Sequence, residues 1–596
     1  MLGSRQRLII GAATTLAAIV AGAVLVDRFV LQAEWWQVDR SETIAAAPPL
    51  ARLGPPPGPV VTSWQLTTPV HHSGLPPYDQ VAHAVVEGQL VVVSGHGLSV
   101  RDGRTGQARW HYYRSGWSLL GWAATGDRIV VYTERDGDRG DRLLLGFDVV
   151  SGQELWRQSG AMPAATDRTT LRWPAAAGMV LTTDGDRTTL HGRSAETGRR
   201  LWTKALPRGC ALPEAASYAS DGADGPDPVT AVALDCADHS RVLAVDPTTG
   251  RVRLDASYGT ADPPEVAVRD AAVVVFDGTA LRVYRGGRQL LSRGGDDACA
   301  TMCPVAIEGD RLVVVYLPNR PGSDKQGRME AVDLRSGRSL WRRAAPDYAA
   351  VTVSGGRLYA LRPSLAQNLL PAGIDIVDLA RGDATTVPTP VVLGSRRDVV
   401  RPWLGAGGGL LYVGVPEAAP RPFGAARLVA LRGAGAGRGP AELGGVAAAD
   451  WPDACDLLHK RDLADFGPDH LDYRPRREYA RVGGVRLSHA VSCTYEPPGP
   501  SGQRTGEAQS AAAPRVSVEW VADTPGAAAG LLAALRATQG RARDVPGIGD
   551  EAYELGLPSG TIAVRVGRYI LAVDAFQAPG MATRLARSAA AHLRAQ

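Results

Sequence analysis

Between residues 61 and 435 the apolar positions come in short runs closed by Gly or Asp turns: Leu90–Val93, Ile129–Tyr132, Met179–Leu181, Ala231–Leu234, Val273–Phe276 and Leu312–Tyr316. A second run follows each, as Val242–Val245 does ahead of Asp246. Runs of this length bounded by turn residues predict strands, not helices. After the second run comes a recurrent turn. Asp102 to Gly106 leads to Trp110, Asp148 to Gly152 leads to Trp156, and Glu196-Thr197-Gly198 leads to Trp202. Asp246 to Gly250 leads to Leu254, Asp333 to Gly337 leads to Trp341, and a worn copy, Gly286-Gly287, leads to Leu291. Asp and Ser/Thr can hydrogen-bond the turning backbone while Gly supplies the left-handed conformation.

The large residues at 110, 156, 202, 254, 291 and 341 are 46, 46, 52, 37 and 50 positions apart. That period, with about four strands per unit, is that of a β-propeller blade. Two clusters lack the tryptophan but keep the rhythm: Arg357–Ala360 with Ile374–Leu379, and Leu410–Val413 with Arg427–Leu431. Counting all clusters predicts eight blades. Thr62–Leu66, carrying Trp64, is an orphan signature strand, so it is expected to complete the last blade by pairing with residues 427–431 and to remove an open edge. The runs beginning at Leu90, Ile129, Val273 and Leu312 are expected to be innermost; they hold no carboxylate, and Asp127, Asp277 and Asp310 sit at strand ends.

The Thr/Ser-Gly-x-x-x-Trp units resemble those of pyrroloquinoline-quinone-like propellers. Eight-bladed members of that family include quinoprotein alcohol dehydrogenases and the envelope assembly factor BamB. The resemblance covers about 370 residues, and its dehydrogenase branch implies a quinone and a calcium ion in the central channel. Calcium demands several oxygen ligands, some anionic. That branch also stacks its quinone on adjacent cysteines; here the nearest pair is Cys299 and Cys303. The tryptophans are assigned a structural role, burying apolar area between neighbouring blades.

Ahead of the propeller, residues 8–26 form an apolar run of transmembrane length, read as an uncleaved anchor, with a cleaved signal peptide as the alternative. Arg5 and Arg7 precede it, so residues 1–7 are expected inside and the bulk of the chain outside the cell membrane. Residues 27–60, rich in proline, read as a stalk. The six cysteines suit an exported chain as three local disulfides: Cys210 with Cys236, Cys299 with Cys303, Cys455 with Cys493. A net charge of +4 is small for this length and gives no sign of a nucleic-acid binder, and with only three lysines, Lys204, Lys325 and Lys460, the composition suggests a GC-rich, actinobacterial genome.

Residues 436–450 read as a flexible Gly/Ala linker, whose Gly-x-Gly pattern lacks the βαβ context of a phosphate loop. Residues 451–596 read as a small α+β domain. A helix is expected over Cys455–Phe466, a strand over Val491–Tyr495, and another over Val516–Trp520. Thr524 caps a helix running to Leu535; strands Thr561–Val566 and Tyr569–Val573 follow, then a helix from Met581. Cys455, Cys493, the run Pro546 to Tyr553 and Val564–Gly567 resemble a sensor-like domain of uncharacterised function found on actinobacterial lipoproteins and secreted proteins. The acidic stretch Asp136–Asp141 reads as a solvated hairpin tip, since it lacks the ligand pattern of a calcium loop. His71-His72 has no further ligands nearby. No catalytic, cofactor or metal residues are assigned. The expected function is a non-enzymatic, membrane-anchored platform for envelope or secreted proteins. The alternatives are a quinone-dependent oxidoreductase and a ligand-sensing module acting through residues 451–596.

Overall fold

The computed structural model describes Val20, Gly22, Val26 and residues 34–46, 54–69, 81–167, 170–213, 218–220, 227–260, 262–294, 303–316, 327–366, 369–393, 402–417, 425–435, 437–464, 473–496, 513–539, 542–556, 560–575 and 580–596. The apolar run 8–26 and His71-His72 lie outside these residues, apart from the three named in the run. Among the described residues no helix is long and apolar enough to cross a membrane.

Eight sheets, antiparallel except where Tyr218–Ser220 pairs parallel with Glu265–Arg269, form a closed ring. Blade 1 opens with Ala82–Val86 and ends its own run with Ala108–Arg114; blades 2 to 7 begin at Trp117, Met162, Cys210, Glu265, Val305 and Ala350, and blade 8 at Trp403. Eight separate apolar clusters each join one blade to the next, from Val91, Trp110 and Phe147 between blades 1 and 2 round to Val92, Tyr412 and Leu428 between blades 8 and 1. Alternate side chains of each strand thus feed two different junctions. The ring closes as the orphan strand predicts. Val60–Pro69 pairs antiparallel with Ala425–Gly433, with Thr62 opposite Leu431 and Leu66 opposite Leu428.

The first strand, not the second, is innermost: Glu265–Arg269, Val305–Glu308, Ala350–Ser354, Trp403–Gly407 and Ala82–Val86 approach one another in turn around the ring, Trp117–Thr125 approaches Ala175–Ala176, and Tyr218–Ser220 adds a further edge strand beside Glu265–Arg269. Leu90–Val93, Ile129–Tyr132, Val273–Phe276 and Leu312–Tyr316 are therefore second strands, corrected from the innermost place. They are the most apolar because both faces are buried in junctions. The real inner strands carry Glu265 and Glu308, each at a strand end.

The proline-rich segment does not stand clear of the body where it is described. Val38–Ser41 adds a fifth strand outside Ala108–Arg114. Pro55 is buried and its carbonyl accepts from the Tyr359 hydroxyl at 3.2 Å. The Gly/Ala linker is likewise folded: Gly439 donates to the Gly445 carbonyl at 2.8 Å, and Leu443 and Val446 are buried. Asp136–Asp141 spans the hairpin turn between Arg128–Arg135 and Asp138–Asp148, as expected.

Beyond the linker, a seven-stranded antiparallel sheet runs in the order Arg474–Glu478, Ser492–Glu496, Arg515–Val521, Tyr569–Asp574, Thr561–Val566, Glu551–Leu555, Ala542–Asp544. Helices Pro525–Thr538 and Met581–Ala595 pack on it, and the Thr524 hydroxyl caps the first by accepting from the Ala527 amide at 3.2 Å. The expected helix over Cys455–Phe466 is instead a 3-10 turn, Ala454–Asp456, then a short helix Lys460–Ala464. The core of this unit takes in Leu365, Leu369 and Val392 of blade 7, so the two units share apolar surface. Two disulfides, Cys210–Cys236 and Cys455–Cys493, join the expected pairs. Cys303 is also oxidised, while Cys299 lies outside the described residues.

Candidate interaction surface

The repeated turn is built by its aspartate. Asp102 Oδ1 accepts from the amides of Arg104 (2.8 Å) and Thr105 (3.2 Å), and its carbonyl accepts from Gly106. Asp148, Asp246, Asp333 and Asp378 repeat the pattern, and Ser194 replaces the acid in blade 3. These bonds hold the Asp333 and Asp378 carboxyls below their ordinary range. Burial pulls Asp246 upward, but its bonds from Thr248, Arg253 and Thr249 outweigh that and hold it low.

Each tryptophan docks on the turn of the following blade. The indole N–H donates to a main-chain carbonyl there: Trp64 to Gly103 (3.1 Å), Trp110 to Val149 (2.8 Å), Trp156 to Ala195 (2.8 Å), Trp202 to Pro247 (2.8 Å) and Trp341 to Leu379 (3.0 Å). The turn glycine lies flat against the same ring. A Cβ on Gly106, Gly152, Gly198, Gly250 or Gly382 would come within 2.5–2.7 Å of it, and all five have positive φ. The glycine and tryptophan of one signature thus belong to different junctions. Gly337 fits this scheme only in its turn: the preceding blade offers it Leu290 main chain and no indole. Asp378–Gly382 of blade 7 is a further copy that spacing alone missed, because Thr386 stands where a tryptophan would mark it.

The outer strands of blades 2 to 6 end their sheets without a further partner among the described residues. Together Glu154–Ser159, Arg200–Ala205, Val252–Tyr258, Arg288–Gly294 and Ser339–Ala344 carry eight Arg or Lys against two carboxylates, Glu154 and Asp255. Leu201 and Leu340 are 51% and 45% exposed on them. The rim is therefore basic, with isolated apolar side chains and open main-chain edges. Blade 1 differs: its edge is occupied by Val38–Ser41, and Glu34 just upstream pairs with Arg157 of blade 2.

Titratable groups inside the protein serve packing. Burial lowers His83 to about 4, and its ring stacks on Trp403 at 5.5 Å between centroids, closing blade 1 on blade 8. Burial, with Asp574 adding and Arg515 opposing, pushes Glu519 up to about 7; its carbonyl accepts from the Leu370 amide of blade 7. In the run Pro546 to Tyr553, Asp550 accepts from the Gly567 amide (2.7 Å), Arg565 and Arg594, tying a hairpin to the last helix. Among the described residues two groups could gather three metal donors: Cys210, Cys236 and His239, where the sulfurs are already a disulfide, and His459, Asp462 and His592.

A family model described as "Outer membrane protein assembly factor BamB" matches residues 36–211 and 114–291. Among curated proteins, none matches the chain in sequence. Solved structures similar to it include BamB from Moraxella catarrhalis, at 13% identity, covering 62% of this chain and 99% of that one with a TM-score of 0.38. Quinohemoprotein alcohol dehydrogenase from Comamonas testosteroni is 12% identical over 65% of this chain and 80% of its own, with a TM-score of 0.38. Dihydro-heme d1 dehydrogenase NirN in complex with DHE is 12% identical over 64% and 82%, TM-score 0.38.

Proposed function

We propose that this protein is a non-enzymatic scaffold of the cell envelope, held at the membrane by residues 8–26, whose propeller rim binds extended, acidic segments of envelope or secreted proteins. The observation that carries this reading is Val38–Ser41, an extended segment already paired with the rim of blade 1. Main-chain pairing at an open edge supplies affinity without a deep pocket, and the basic side chains select the partner's charge. The partial match to the BamB family model agrees with a protein-binding role. The rival, a quinone-dependent oxidoreductase, needs a calcium site with anionic oxygen ligands in the channel. The inner strands offer Glu265 and Glu308 at their ends, and Glu308 accepts from the Gly356 amide at 3.0 Å.

Two measurements test the reading. The extracytoplasmic part, used to capture partners from a detergent-solubilised envelope, should retain a reproducible set identified by mass spectrometry. Charge reversal at Arg200 and Lys204, or at Arg342 and Arg343, should reduce that set. Capture unaffected by both reversals would remove the rim from consideration. Separately, purified protein given pyrroloquinoline quinone and calcium should bind no chromophore and reduce no dye with alcohols; stoichiometric binding and calcium-dependent turnover would establish the enzyme instead.

A further inference from the structure

We propose that His459, Asp462 and His592 form a binding site for one zinc ion, which clamps the beginning of the C-terminal unit to its last helix. The three donor groups lie within 4.8 Å of one another. His459 stands just before the short helix Lys460–Ala464, and His592 lies in the final helix, 133 positions on. Their rings meet edge to face with centroids 4.2 Å apart.

The protonation geometry favours a metal. His592 Nδ1 is 3.0 Å from the Leu457 carbonyl, which can only accept, so Nδ1 carries the proton and Nε2 presents a lone pair. A ligating histidine that donates its other N–H to a main-chain carbonyl is the usual outer-shell arrangement. That Nε2 faces His459 Nδ1 at 3.3 Å. Two nitrogens each about 2.0–2.1 Å from a tetrahedral zinc stand about 3.3–3.4 Å apart, so the pair is already at ligand spacing. Asp462 Oδ2 lies 3.7 Å from His459 Nδ1 and accepts from the His459 amide at 2.7 Å, which fixes the carboxylate beside the rings. Its side chain is 11% exposed and that of His592 is 18% exposed, against 51% for His459. His459 is half-exposed, so water can reach the site and complete the tetrahedron.

One group opposes the ion. Arg461 Nη2 approaches His592 Nε2 at 3.4 Å, and its cation must leave before zinc enters. Arg461 is exposed, so it can swing into solvent. Two nitrogens and one carboxylate select zinc and its neighbours in the transition series over calcium or magnesium, which take oxygen alone.

The test uses untagged full-length protein stripped with chelator, titrated with zinc chloride in a calorimeter. One equivalent should bind, and the melting temperature of the C-terminal unit should rise with zinc. Cobalt at the same site should give a visible absorption band that zinc displaces. His459→Gln, at an exposed position where folding is undisturbed, should weaken binding at least ten-fold, as should His592→Gln. His239→Gln serves as the unaffected control. Binding that is unchanged in His459→Gln, or a wild-type chain that takes up no zinc at millimolar concentration, would leave only a histidine–histidine hydrogen bond and overturn the site.

Discussion

The junction between blades 1 and 2 and that between blades 4 and 5 solve the same problem differently. In the first, Trp110 is 1% exposed, donates to the Val149 carbonyl and covers Gly152. In the second, Leu254 stands in the tryptophan's place, makes no such bond, and leaves an open slot lined by Asp227, Val229, Leu254, Val273, Tyr284 and Gly287. Both junctions keep a buried apolar cluster of their own. Cohesion of the ring therefore comes from the strand faces. The indole adds a directional bond and a flat platform that forces glycine into the next turn. Blade 7 offers a third solution: Thr386 replaces the tryptophan and donates to Asp375 at 2.6 Å, while the turn Ala441–Leu443 of the linker covers that edge.

The largest expected effect is at Trp110. Trp110→Ala should cost about 3–5 kcal/mol, against about 2–3 kcal/mol for Leu254→Ala, in urea denaturation. Equal losses would mean that the indole bond and its platform add nothing. Trp156 and Trp202, only half-buried, should fall between the two.

Gly152→Ala separates strain from collision. Gly152 has φ of 77° and its new Cβ would meet the Trp110 ring at 2.5 Å, whereas Gly286, at φ 57°, has nothing within 4 Å of a Cβ. The first substitution should cost about 2–4 kcal/mol, combining left-handed strain with overpacking. Gly286→Ala should show the strain alone, about 1–2 kcal/mol. Similar melting temperatures for the two variants would refute the platform.

Asp277, in a turn of blade 5, tests whether a junction lacking indoles relies on its carboxylates. Burial raises its pKa, but Thr279, Arg282 and the amides of Ala280 and Thr279 outweigh this and hold it at about 2. A carboxyl lower in the folded than in the unfolded chain stabilises above the unfolded value near 4, and that contribution vanishes as pH falls towards 2. Asp277→Asn should lose about 1–2 kcal/mol at pH 7 and show a flatter stability profile between pH 4 and 2. The smallest effect belongs to Leu254→Trp. The slot should accept the ring within about 1.5 kcal/mol of wild type and slow amide exchange along the outer strand of blade 4.

The fold was legible where its signals are local. The Asp turn is closed by bonds reaching two or three residues, so most copies imprint the same letters, and Trp64 betrays a strand without a blade. What escaped depends on neighbours in space. The docking partner of each indole lies in the next repeat, about 40 residues on, and spacing cannot show it. Depth within a blade does not follow from the length of an apolar run, since the long runs are second strands and Cys210–Ala211 is an inner strand of two residues. Val38–Ser41 reads as a polar stretch, because Asp39 and Arg40 face solvent and its pairing combines the main-chain ladder with bonds from the Ser41 and Asp39 side chains to His111. The glycines at 437 and 439 read as slack, yet they permit the close backbone approach that folds the linker. The His459–His592 pair needed tertiary structure outright, because its members sit at opposite ends of one unit.

The closing strand sets an order in time. Val60–Pro69 leaves the ribosome before every propeller strand except Val38–Ser41, and its partner, Ala425–Gly433, is the last, about 360 residues later. At roughly 5–20 residues per second the first strand waits on the order of 20–70 s with its edge unsatisfied. Blades 1 to 7 can form as nearest-neighbour units during that interval, but blade 8 stays a three-stranded sheet until the N-terminal strand returns to it. The chain must bring its far end back to its own starting strand, so closure competes with pairing between two chains held close together. Crowding at the site of synthesis, more than the final stability of the ring, then governs how much protein ends as monomer.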